Sequence, residues 1–187
     1  MKIGLKFALL FSGIWFLGKY LFFYFQLFQS SEQYTIQVLW NILCLLLAMS
    51  IGSLIEKRSN SLKEFSALAD LKTILGIGLI YSVIVSVLIY VYYAKIDPSY
   101  NENQIAQIEM SMEKTLSDKT QLKKFKHERP EFASMSKEEI LERSRDSIKA
   151  WYQPKTTMII SMLGMLMLSI INALVLTIIY RKVLFRK

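Results

Sequence analysis

Residues 73–94 read TILGIGLIYSVIVSVLIYVYYA, 22 consecutive residues without a charge between Lys72 and Lys95. A helix of about 20 apolar residues spans the ~30 Å hydrocarbon core of a bilayer, so this stretch reads as a membrane crossing. Two more charge-free runs, of 23 residues between Glu32 and Glu56 and of 25 between Lys155 and Arg181, meet the same criterion. A fourth apolar block, Phe7 to Phe28, contains one charge, Lys19. With four such blocks in 187 residues, an ordinary soluble globule is excluded, and with it a cytosolic enzyme or a compact nucleic-acid-binding domain.

The predicted helices cover about 7–28, 34–55, 73–94 and 157–180. The first begins like a secretory signal, with Lys2 and Lys6 ahead of an apolar run. It has no small-x-small cleavage site and continues through Phe22, Phe23, Tyr24 and Phe25, so an uncleaved helix is expected. Tyr34, Trp40, Tyr90, Tyr92, Tyr93 and Tyr180 fall towards helix ends, where aromatic rings are expected at the headgroup level.

The net charge of +8 does not point to nucleic acid, because residues 95–155 carry 12 basic and 11 acidic side chains and the remaining excess flanks the apolar blocks. Gln29–Gln33 has no Lys or Arg, whereas the amino terminus, the second connection and the tail Arg181–Lys187 hold ten. The positive-inside rule then places both termini in the cytoplasm and residues 95–155 across the membrane. Three parts follow: the first three crossings in 1–94, an extracytoplasmic helical segment in 95–155, and the fourth crossing with its basic tail in 156–187.

Within 95–155, Asp97-Pro98 starts a helix carrying Ile105, Ile108, Met112 and Leu116 to about Leu122. The charged stretch Lys123–Glu131 is expected to break it at Pro130. Ser136-Lys137-Glu138-Glu139 has the form of a capping box before Ile140, Leu141, Ile148, Trp151 and Tyr152. Ser61-Leu62-Lys63-Glu64 repeats that form, and with Phe65 and Leu68 predicts a short surface helix before the third crossing. The fold class is thus all-α: four transmembrane helices in an antiparallel bundle plus an extramembrane helical hairpin.

The loop Arg58-Ser59-Asn60-Ser61-Leu62-Lys63-Glu64-Phe65, the third helix ending at Ala94-Lys95-Ile96-Asp97-Pro98, the charged loop and the closing Tyr180-Arg181-Lys182 together resemble the DUF4199 family. Its members are small four-helix membrane proteins, found mainly in Bacteroidetes and without an assigned activity. The resemblance implies a bacterial inner membrane; it carries no reaction or ligand.

The residues supply little chemistry. His127, the sole histidine, lies among charges and reads as a solvated side chain. Cys44, the sole cysteine, lies in the second crossing and allows neither an internal disulfide nor a thiolate cluster. Glu138, Glu139 and Glu142 are expected to pair along their own helix with Lys137, Arg143 and Arg145. No phosphate loop, nucleophile elbow or EF-hand spacing occurs, so no catalytic, cofactor-binding or metal residue and no cofactor is assigned.

Asn41 and Asn172 read as helix-to-helix hydrogen-bonding groups, the membrane serines Ser12, Ser50, Ser53, Ser82, Ser86, Ser161 and Ser169 as hydrogen-bonding or close-packing groups, and Ala48–Gly52 as a close-packing pair. Lys19 lies 13 residues beyond Lys6, about 19 Å along a helix. It is expected to snorkel to the headgroups among Tyr20, Phe23 and Tyr24; a lipid-phosphate contact and a conduction role are the other readings. The two outer helices are expected to pack on each other, on the membrane surface or on a partner. The function read from the sequence is a non-enzymatic structural or partner-binding component of the membrane, with residues 95–155 binding a protein partner or lying on the surface of the lipid bilayer. The alternative is a small transporter or channel component, homo-oligomeric, with Lys19 and these Asn and Ser residues lining a route.

Overall fold

The computed structural model describes residues 2–25, 32–59 and 66–184, and every regular element among them is helical. The order is α1 (Lys2–Tyr24), α2 (Glu32–Ser59), α3 (Ala67–Val91), α4 (Pro98–Ser117), α5 (Lys119–Glu128), α6 (Lys137–Trp151) and α7 (Pro154–Ile179). α3 and α7 each widen into a π-helical turn at their ends, Tyr92–Ile96 and Tyr180–Leu184, and Pro130–Phe132 forms a 3-10 turn.

α1, α2, α3 and α7 are long and apolar enough to cross a membrane, with mean hydropathies of 1.5, 2.2, 2.5 and 2.4 in their most apolar stretches. Leu17, Leu39, Val87, Leu163, Met167 and Ile171 stand exposed on them. Apolar surface of this extent is foreign to a soluble monomer and normal against lipid. The chain is a multi-pass membrane protein.

Helix limits differ from the charge-free runs. α2 continues past Glu56 through Lys57 and Arg58 to Ser59, and α3 starts at Ala67, ahead of Asp70 and Lys72. Charged side chains are sound helix formers, so a charge-free run measures the apolar span and not the helix. Ser66 starts α3, its hydroxyl accepting the Ala69 N–H at 3.1 Å. The surface helix expected around Ser61–Phe65, and residues 26–28 of the first crossing, lie outside the described residues.

Two compact units are present. The first comprises 1–88 with 160–187, and the second 89–159. In the first, small residues let backbones approach. A Cβ at Gly78 would lie 2.7 Å from Ser169 Oγ and 3.0 Å from Met49 Sδ, so only glycine fits where α3 meets α7 and α2. Gly52, of the Ala48–Gly52 pair, packs against Phe7 and Ile77 of this same chain.

The second unit has its own core, in which Leu116, Phe132 and Ile140 are buried and Met112, Leu122, Phe125, Met135 and Leu141 pack around them. Asp97 caps α4 by accepting the Tyr100 N–H at 3.1 Å, with Pro98 at the first helical position. Ser136 and Glu139 form the reciprocal capping box of α6. Between them the outcome departs from expectation. α4 stops at Ser117, short of Leu122, because the Asp118 carboxylate accepts the Thr120 N–H at 2.7 Å and starts a new helix, Lys119–Glu128; helix then ends ahead of Pro130, where the break was expected.

Candidate functional site

Two features of the described residues combine polar chemistry with shape, one in each unit. In the first unit a polar seam runs between α2, α3 and α7. Tyr81 donates to Asn41 Oδ1 at 2.9 Å, and Asn41 Nδ2 approaches Met165 Sδ at 3.4 Å. The Ser82 and Ser169 hydroxyls are 3.4 Å apart, and those of Ser53 and Tyr180 2.7 Å. Ser12, Ser53, Ser82, Ser86 and Ser169 also donate to carbonyls one turn back in their own helices, which satisfies the hydroxyls locally. Asn172 differs from the helix-to-helix hydrogen bonding expected of it, since its buried Nδ2 has no hydrogen-bond partner.

Three of the rings at helix ends, Tyr92, Tyr93 and Tyr180, are buried within the protein. Tyr180 donates to the Ser50 carbonyl at 2.8 Å, and its ring lies 5.6 Å from Lys57 Nζ. Position in the sequence marks a helix end; the helix face decides whether the ring turns inward.

Lys19 is only 4% exposed, its Nζ 5.7 Å from the Trp15 ring centroid. It does not snorkel among Tyr20, Phe23 and Tyr24, which are themselves exposed. The reason is helical register: Ala8, Phe11, Ser12, Trp15 and Lys19 share the inward face of α1. Glu56, also missed as an interior group, is 5% exposed and accepts the Gly4 N–H at 2.7 Å. That N–H belongs to the first turn of α1, where donors lack helical partners and a carboxylate is favoured.

In the second unit a groove of about 590 Å³ lies between α4 and α6. Ala106, Glu109, Met110, Met112 and Glu113 line it from α4, and Glu138, Leu141, Glu142, Arg145 and Ile148 from α6. Arg145 grips Glu109 through two bonds of 2.9 and 3.0 Å. The bonded carboxylate, and secondarily its charge, holds the guanidinium above its usual pKa.

The pairing expected within α6 does not form. Arg145 reaches across to α4, Arg143 lies 5.8 Å from the Phe132 ring, and Lys137 donates to Ser117 at 2.9 Å. Each of these basic side chains has its partner on another element, and Glu138 and Glu142 stand on the groove wall. His127 is exposed on α5, and Cys44 is buried and unoxidised in α2. Among the described residues no three His, Cys, Asp or Glu side chains gather as a metal would require.

A family model described as a protein of unknown function, DUF4199, matches residues 6–182. The chain belongs to the DUF4199 family. No curated protein and no solved structure matches it. The family description assigns no reaction, so the functional reading of this DUF4199 protein rests on its own residues. Of these, the α4–α6 groove was only half visible in the sequence. The spacing of Met112 with Leu141 and Ile148 announced apolar stripes, but the cross-helix Glu109–Arg145 pair carries no local signal.

Proposed function

We propose that this DUF4199 protein is a non-enzymatic component of the bacterial inner membrane that holds a protein partner through its second unit. In this reading α1, α2, α3 and α7 form an antiparallel bundle with both termini in the cytoplasm, and α4–α6 form an extramembrane helical assembly on the far side. The single observation that carries it is the open groove between α4 and α6, a concave surface with apolar side chains beside charged ones. The charge asymmetry of the short loops supports the orientation.

The test is a photo-crosslinking amino acid placed in intact cells at Met110 or Ile148, in the groove, and at Lys123, on α5. A discrete crosslinked protein from the groove positions and none from Lys123 is the expected result. Absence of any protein adduct at Met110 and Ile148 would reject the reading. Protease treatment of spheroplasts should spare a tag on the tail.

A second reading, a small transporter or channel component, is favoured by one observation, the burial of both Lys19 and Glu56 in the first unit. Ion flux in proteoliposomes, abolished by Lys19→Gln or Glu56→Gln, would establish it.

A further inference from the structure

We infer that the α4–α6 groove receives a basic amphipathic helix from its partner, in contact over about two to three turns, an inference that rests on the partner-docking reading above. The first argument is that the groove continues the core. Met112 and Leu141 pack against the buried cluster of Leu116, Phe132 and Ile140 and also line the groove. α5 has ten residues, about 15 Å of helix, whereas α4 and α6 have 20 and 15 residues. The helix that adds Leu122 and Phe125 to this core is therefore shorter than both α4 and α6. Two helices with an uncovered seam between them are the usual seat for a third.

Dimensions set the length of the occupant. The lining residues extend from Ala106 to Glu113 on α4 and from Glu138 to Ile148 on α6, about 10 and 15 Å along the two axes. A segment of about 7 to 10 helical residues covers that length.

Charge sets its chemistry. Four carboxylates and one guanidinium line the groove. Glu109 is taken by Arg145, while among the described residues Glu113, Glu138 and Glu142 have no ion-pair partner. These three flank the apolar side chains Met110, Met112, Leu141 and Ile148. An occupant with an apolar stripe and Lys or Arg on its shoulders meets both demands, and like-charge repulsion rejects an acidic one. The methionines, flexible and polarisable, adapt to different stripe side chains and fit recognition by type over recognition of one sequence.

The experiment uses full-length protein in nanodiscs of zwitterionic lipid and two fluorescent peptides of about 14 residues. Both carry leucines at helical spacing, one with lysines elsewhere and one with glutamates. The Leu/Lys peptide is expected to bind, with affinity falling as salt is raised. Glu113→Lys with Glu142→Lys, both exposed helix positions, should weaken it by about tenfold or more and let the Leu/Glu peptide bind. Glu102→Lys with Glu128→Lys, an equal charge change outside the groove, should leave it within about twofold, since only remote screened charge is altered.

Equal weakening by both charge pairs would overturn the inference, as would binding of neither peptide. Met110-dependent self-association of the nanodisc protein would also overturn it, naming a second copy as the occupant. If the Leu/Glu peptide binds the unmodified groove equally well, or the protein crosslinked at Met110 lacks a basic helix, the charge rule fails while partner docking stands. Loss of the Met110 crosslink in cells fails the docking reading itself.

Discussion

Lys57 and Asp70 form an ion pair at 2.6 Å whose side chains are only 11% and 12% exposed, tying the last turn of α2 to the first turn of α3. The Tyr180 ring stands 5.6 Å from the same ammonium, so three helices meet at one charged node. Charges at this depth are tolerated because each is compensated by another group in place.

Removing one member of that pair should therefore be worse than removing both. Asp70→Asn is expected to cost about 3 kcal/mol, the low end for breaking a largely desolvated pair, and Asp70→Asn with Lys57→Met to recover much of that loss. Thermal melts in a single detergent check both. A double variant as unstable as Asp70→Asn would refute the coupling.

Two glycines two residues apart in α3 should behave oppositely. Gly78→Ala places a methyl group 2.8 Å from Ser169 Cβ, which a helix backbone cannot easily yield, and should destabilise by about 1–3 kcal/mol. Gly76→Ala meets nothing within 4 Å and should be neutral or slightly stabilising through its higher helix propensity. Melting of the two variants side by side decides it.

The core of the second unit rests on few side chains. Ile140 is fully buried against Leu116 and Phe132, and Ile140→Ala should cost about 2–5 kcal/mol. Amide hydrogen exchange should accelerate across α4, α5 and α6 and remain unchanged near Tyr81. Uniform acceleration through both units would show that they unfold together.

The α6 capping box makes a pH prediction. The Ser136 N–H donates to Glu139 Oε2 at 2.6 Å, and this bond chiefly holds the Glu139 carboxyl below its usual pKa. A carboxyl whose folded value is lower than its unfolded value stabilises above the unfolded value and loses that contribution as pH falls through the folded one. Exchange protection of the first turn of α6 should thus decline on acidification, and Glu139→Gln should flatten the decline. Ser136→Ala should weaken the turn by about 1 kcal/mol at neutral pH, because it removes the hydroxyl accepting the Glu139 N–H at 3.2 Å, and should also soften the acid decline, because that side chain helps hold the Glu139 carboxyl low.

The sequence by itself determined the four crossings and two of the caps. A span such as 73–94 is set by the bilayer's thickness, and a cap such as Asp97-Pro98 or Ser136–Glu139 by bonds within one turn, so both signals are local and read directly. It also announced that α4 and α6 each carry an apolar stripe. Tertiary structure alone decided that Lys19 and Tyr180 turn inward and that Glu56 meets the start of α1. It alone also decided that Arg145 leaves its own helix for Glu109, which opens the acidic side of the groove. Those outcomes depend on which helix faces oppose one another, and contacts separated by 52 residues (Gly4 to Glu56) or 36 (Glu109 to Arg145) leave no mark in local periodicity.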